Sequence, residues 1–202
     1  MLNDIELKAE LTRLEPFERR VPWPYLDVKG LVTTGVGFLL ADVDAMVALP
    51  WHHLSDGSPA TPDEMKTEYF RVQGMRAGLG ANAYRGTLRL FQGDIDTEGF
   101  RRLRLAMDDL QDIFPGYDAF PAGVQQALLD LRWNCGGAAH PPGLRSWTHL
   151  LAACNSVPPD WKAAAGQCRT ANPDNNPQRA HRNDWRSSCF VDAAAATPEP
   201  AG

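Results

Sequence analysis

Apolar residues recur at helical spacing near the amino terminus. In "DIELKAELTRLE", residues 4–15, Leu7, Leu11 and Leu14 fall four and three apart and share one face. Asn3 or Asp4 is placed to cap this helix, and Pro16 to end or kink it. The pattern then changes. "VPWPYLDVKGLVTTGVGFLL" mixes turn formers with β-branched pairs, which predicts short antiparallel strands turning at Asp27 to Gly30 and relieved by Gly35 and Gly37.

Residues 52–61 read as polar loop. "TPDEMKTEYFRVQGM" carries a full helix start, with Thr61 as cap, Pro62 in the first helical position and Glu64 in the capping-box position. After a Gly- and Asn-rich break at 78–86, Phe100, Leu103, Met107 and Leu110 mark a long amphipathic helix that "FPGYDAFPAG" interrupts. "GVQQALLDLRWNCGG" reads as a buried helix stopped by Gly136 and Gly137. Two shorter helices follow in "LRSWTHLLAACNS" and "PDWKAAAGQCRT", then a last helix within "NPDNNPQRAHRNDWRSSCF".

Helix, small β element, then mostly helices is an α+β arrangement, not alternating β-α units. The expected organisation is one domain over residues 1–192, with a β-containing lobe at about 15–60 and a helical lobe at about 61–192 that also takes the first helix. A cleft between the two is where a ligand pocket is expected. Residues 193–202, "AAAATPEPAG", read as a disordered tail.

Composition narrows the function. At 202 residues and 44% hydrophobic the chain can bury a sizeable core. A net charge of -5 argues against nucleic-acid binding, which needs a surplus of Lys and Arg, although "FRRLRLAM" is locally basic. No apolar run reaches the length of a bilayer span, and "MLNDIELKAE" lacks a signal-peptide pattern. Cys135, Cys154, Cys168 and Cys189 lack CxxC spacing, leaving buried thiols or two disulfides as alternatives. Disulfides would place the working compartment outside the reducing cytosol, with Cys135 to Cys154 and Cys168 to Cys189 as the pairing by chain proximity. The five histidines, His52, His53, His140, His149 and His181, show no metal-binding spacing, and His52 with His53 belong to the surface loop. "GLGANAYRG" lacks a phosphate-binding signature, and no GxSxG elbow is present. Trp133, Trp147, Trp161 and Trp185 read as core.

Two acids flank the proline-rich bend. Glu18 closes the first helix, Asp27 enters the hairpin, and Thr33 follows at the start of the next strand. Cleaving a glycosidic bond takes one carboxyl group as proton donor and a second group that stabilises charge or activates water. Spacing alone does not single these residues out, and Glu15 is a rival acid on the same helical face.

The set Glu18, Tyr25, Asp27, Gly30, Thr33, Gly35 and Gly37, read without gaps, resembles the signature of phage-type lysozymes, glycoside hydrolase family 24. In that family an acid closes a first helix and a Y-x-D-x-x-G-x-x-T-x-G-x-G hairpin follows. "GVQQALLDLRWNCGG" resembles the family's central buried helix, and "NNPQRAHRNDW" its Pro-x-Arg-Ala-x-Arg segment, whereas residues 41–95 do not align with the family. The resemblance implies a lysozyme-like fold and an inverting muramidase that needs no cofactor or metal. Glu18 would be the acid, Asp27 and Thr33 would hold the attacking water, Tyr25 and Gly35 would meet the sugar chain, and Arg179 would orient Glu18. Trp23 is the candidate stacking surface beside them. Inversion implies carboxyls roughly 6.5–9.5 Å apart.

Two positions depart from the family, which usually has Gly after its glutamate and Ile after its threonine; here these are Arg19 and Thr34. A peptidoglycan-binding module that lost its chemistry is therefore a rival reading, and another glycan such as chitin a rival substrate. A monomer is expected, acting on the wall in a target bacterium's periplasm after delivery by a secretion machine or a phage holin. A secreted effector would bring an immunity protein as inhibitor.

Overall fold

The computed structural model describes residues 2–135, 143–172 and 175–197. The order of elements is α1 (Asp4–Glu18), β1 (Val21–Leu26), β2 (Val32–Gly35), β3 (Phe38–Leu39), α2 (Val43–Val47), β4 (His52–His53), α3 (Pro62–Gln73), β5 (Leu88–Arg89), α4 (Gln92–Ile113), α5 (Ala122–Cys135), α6 (Thr148–Cys154), α7 (Trp161–Gln167) and α8 (Pro177–Ala196). Short 3-10 turns fill Ala81–Tyr84, Tyr117–Ala119 and Gly143–Ser146. The fold class is α+β. No helix among the described residues is long and apolar enough to cross a membrane.

The chain divides into two compact units, Leu11–Arg101 and Met1–Glu10 with Arg102–Gly202. The first holds all the strands. β1, β2 and β3 form an antiparallel sheet in that order, with Tyr25 opposite Thr33, Leu26 opposite Val32, and Thr34 opposite Phe38. This unit runs well past residue 60 and takes in α3, whose buried face of Met65, Tyr69 and Val72 packs on α2 and on β1 and β2. The helix start at Thr61 is as the sequence predicts: its hydroxyl accepts from the Glu64 N–H while Glu64 reaches back to the Thr61 N–H.

Three local expectations need correction. Of the end or kink expected at Pro16, the end does not occur: α1 runs on to Glu18 with the Arg19 N–H donating to Glu15 O at 2.8 Å. A proline so near the C-terminus removes one ladder bond and leaves the rest of the final turn intact. His52 and His53 are not in an irregular loop but in β4, paired with Arg89 and Leu88 of β5. α8 continues to Ala196, into the stretch read as tail, because its run of alanines favours helix.

The second unit is helical. Phe120 meets Trp161 edge to face at a centroid distance of 4.9 Å, and Phe114, Tyr117 and Phe190 extend the same aromatic core. Leu103, Met107 and Leu110 of α4 are buried, as their spacing requires. Trp161 is buried, whereas Trp133, Trp147 and Trp185 are half-buried, so the reading of all four as core fails for three of them. Asp130 of α5 is fully buried and accepts from Arg182 Nε at 3.0–3.1 Å and from Arg186 Nε, both on α8. Gly136, Gly137 and His140 lie outside the described residues.

No disulfide joins the four cysteines, which overturns the pairing expected from chain proximity. Burial pushes the Cys154 thiol up to about 12, with Cys168 as a neighbour, and pushes Cys168 up as well.

Candidate active site

The site residues of the hairpin are set by where α1 stops. Arg19 takes a left-handed conformation, φ 58, which breaks the helix immediately after Glu18 and turns the chain into β1. Only glycine enters that region without steric cost, so the arginine here sits at a strained angle. Thr34, the other departure, is fully buried, and its hydroxyl donates to Val21 O across the ladder at 3.2 Å. The polar group is satisfied, so a buried threonine is tolerated at this position.

Glu18 lies against the second hairpin turn. A Cβ built on Gly37 would stand 3.0 Å from Glu18 Oε2, and Gly37 itself has φ 72. Gly35, at φ 59, faces the Phe38 ring so closely that a Cβ would come within 2.4 Å of it. Both glycines are therefore required by space and by backbone angle, one to seat the carboxyl and one to close the β2–β3 turn.

Tyr25 ties the two acids together. Burial raises its phenol to about 12, and the negative charges of Glu18 and Asp27 add to that, while Arg19 opposes it. The Tyr25 hydroxyl thus stands in the fields of both carboxylates. Thr33 is directly opposite Tyr25 in the ladder, and such pairs project to the same face of a sheet. Its hydroxyl donates to Leu31 O at 3.1 Å and the residue is only 5% exposed, so what it offers a ligand is its oxygen lone pairs.

Asp27 has a structural task. One carboxylate oxygen, Oδ1, accepts from the Lys29 and Leu31 N–H groups at 2.9 Å each, holding the turn that Gly30 completes at φ 76. Glu15, the rival acid, has its Oε1 accepting from Arg20 Nε at 3.0 Å and from Nη2, and Arg20 also reaches Asp96 and Gln92. Glu15 is thus part of an ionic network with Arg20, Asp96 and Gln92.

Trp23 is not displayed as an open platform. Its indole N–H donates to Ala81 O at 2.8 Å and the Arg85 guanidinium covers the ring at 5.2 Å. Arg179 belongs to the helical unit, where its Nη1 donates to Ala171 O at 3.3 Å at the start of α8. The histidines of β4 face carboxylates, His52 towards Asp94 at 3.6 Å and His53 towards Glu64 at 3.4 Å. Among the described residues no group of three or more His, Cys, Asp or Glu side chains is arranged to hold a metal ion.

Glu18 at the end of α1 and Asp27 on the hairpin thus both act on the Tyr25 phenol, and Thr33 lies opposite Tyr25 in the ladder, which brings carboxyl and hydroxyl groups of the kind acid/base chemistry uses near one tyrosine. Sequence reasoning missed how closely Gly37 seats the Glu18 carboxyl, and that the Tyr25 phenol lies in the fields of both acids. The chain matches no protein-family model and no curated protein.

Proposed function

We propose that this chain is a muramidase that cleaves the β-1,4 bond between N-acetylmuramic acid and N-acetylglucosamine with inversion, on a lysozyme-like fold. The observation that carries the reading is the Glu18 carboxyl lying against Gly37, with the charges of Glu18 and Asp27 both acting on the Tyr25 phenol. Glu18 gives its proton to the leaving oxygen. Water held by the outer oxygen of Asp27 and the lone pairs of Thr33 attacks the other face of the sugar, and Asp27 takes the proton that the water loses. Arg179 keeps its proposed role as the residue that orients Glu18. The substrate puts the work in a target bacterium's periplasm, reached through a secretion machine or a holin. A periplasmic immunity protein is the expected inhibitor. The free thiols lend no support to an oxidising compartment, so the location rests on the substrate alone.

One observation favours a second reading. Asp27 spends Oδ1 on its own turn, as a residue kept for structure would, which suits a wall-binding module without hydrolysis. Digestion of peptidoglycan by the wild type and by Glu18→Gln, with muropeptides identified by mass and reducing end, separates the two. The muramidase yields reducing N-acetylmuramic acid ends that the variant does not. Cleavage that survives Glu18→Gln removes Glu18 from the mechanism, and wall binding without cleavage by either protein makes the chain a binding module.

A further inference from the structure

Two loops of the strand-bearing unit meet at one tip. The hairpin turn carries Val28, Lys29 and Leu31, and the segment after α3 carries Arg76, Ala77 and Leu79. They touch at Gly30, where an added Cβ would stand 3.7 Å from Ala77 Cβ. Three aliphatic side chains are open to solvent there, Val28 at 93%, Leu79 at 40% and Leu31 at 39% exposure. Both loops are held in shape from within. Asp27 Oδ1 accepts from the Lys29 and Leu31 N–H groups, and the Gly30 N–H donates to Asp27 O at 3.0 Å. The Tyr84 hydroxyl donates to Arg76 O at 2.8 Å and accepts from the Leu79 N–H at 3.3 Å. The ordering of these loops is therefore complete before anything docks on them.

The charge beside the tip leans positive. Between Glu68 and Asp94 the chain carries Arg71, Arg76, Arg85 and Arg89 and no acid, in a protein whose net charge is -5. Arg71 is committed to Glu68, and Arg85 lies over Trp23. Lys29 and Arg76 are exposed and, among the described residues, neither makes an ion pair. The one acid in the two loops, Asp27, has Oδ1 occupied by the turn.

We infer that this tip docks the protein on an anionic bilayer, with Val28, Leu31 and Leu79 sunk among the headgroups and upper acyl chains and Lys29 and Arg76 against lipid phosphates. Exposed apolar groups rimmed by charge mark either a protein or a membrane contact. Protein hot spots are built on Trp, Tyr and Arg seated in pockets, and Leu and Val are scarce among them. Residues 27–31 and 74–80 hold aliphatic side chains and no aromatic ring. A fluid bilayer takes in aliphatic side chains without a shaped recess, and its anionic headgroups supply the charge that Lys29 and Arg76 lack. A sugar strand fits less well, because nothing in either loop stacks on a pyranose and the nearby Trp23 ring is covered by Arg85. The contact is peripheral, needs no spanning segment, and stands without the muramidase reading.

The test sediments the full chain with vesicles of phosphatidylcholine containing about one-third phosphatidylglycerol, and with vesicles of phosphatidylcholine alone. Binding to the anionic vesicles is expected to be at least about tenfold tighter than to the neutral ones and to weaken as salt is raised. Lys29→Gln with Arg76→Gln should remove most of that preference. Val28→Asp with Leu79→Asp should weaken binding to the anionic vesicles by at least about tenfold. These four side chains are exposed, so the urea midpoint is expected to stay where it is, which separates lost docking from lost folding. No binding to anionic vesicles overturns the inference. Binding that the double aspartate variant retains does so too, by placing the contact on another face. Self-association without lipid that the same variant abolishes also overturns it, because a second copy would then cover the tip. Vesicle binding by a protein that fails to digest wall keeps this surface and removes the muramidase; digestion without vesicle binding does the reverse.

Discussion

Arg19 holds a left-handed angle that costs an L-residue about 1–2 kcal/mol, against about 0.5–1 kcal/mol that glycine loses through the freedom of the unfolded chain. The first exceeds the second. Arg19→Gly is therefore expected to stabilise the protein by up to about 1 kcal/mol, read as a higher urea midpoint at unchanged slope. A lower midpoint would mean that the guanidinium contributes more through Tyr25 and its acidic neighbours than the angle costs. Gly37 makes the opposite case. Gly37→Ala adds a methyl group 3.0 Å from Glu18 Oε2 at φ 72, so the carboxyl or the turn must shift. Loss of at least tenfold in wall digestion, with the fold retained by circular dichroism, is the expected outcome; unchanged activity would show that the Glu18 position is not critical.

At the scale of elements, caps and turns decide what could be foreseen. The start of α3 was legible because three chemically distinct residues, Thr61, Pro62 and Glu64, each point to the same boundary. Thr61→Ala removes the hydroxyl that accepts from the Glu64 N–H and should cost about 1 kcal/mol, measured by denaturant unfolding. The hairpin was legible for the same reason, since Asp27, Gly30, Gly35 and Gly37 each have a local task that the structure displays. β4 and β5 were not. Strands of two residues are too short to show alternation, and their pairing joins residues far apart in the chain. The same limit explains Trp147, whose exposure depends on how α6 and α7 pack, and Trp23, whose ring is covered by Arg85 from beyond the next 3-10 turn. The ionic network of Glu15 was out of reach of spacing as well, because Asp96 and Gln92, which share Arg20 with Glu15, lie in a distant helix.

For the whole molecule, two buried features set stability. Asp130 is the shared acceptor of Arg182 and Arg186, and removing a partner from a buried ionic cluster commonly costs about 3–5 kcal/mol. Asp130→Ala is expected to unfold the helical unit or lower its thermal midpoint steeply, which calorimetry would read directly. The alkaline limit follows from groups held protonated by burial. Tyr25 is raised from 10.0 to about 12 and Cys154 from 9.0 to about 12, so the folded state keeps protons that the unfolded chain releases. Their contribution is complete below about pH 9 and is lost as pH rises towards 12. Urea midpoints should hold up to about pH 9 and then fall, and Tyr25→Phe should flatten the part of the fall above pH 10. A slope that Tyr25→Phe leaves intact would assign the alkaline loss to other groups.

The buried ionic cluster also fixes an order of events during synthesis. Asp130 leaves the ribosome well before the two arginines of α8 that neutralise it, so for that interval α5 carries a carboxylate with no place in an apolar interior. A nascent chain can settle its strand-bearing unit at once, whereas its helical unit must stay open until α8 has emerged. In this protein α8 acts as a latch, and the helical unit closes only once Arg182 and Arg186 can reach Asp130.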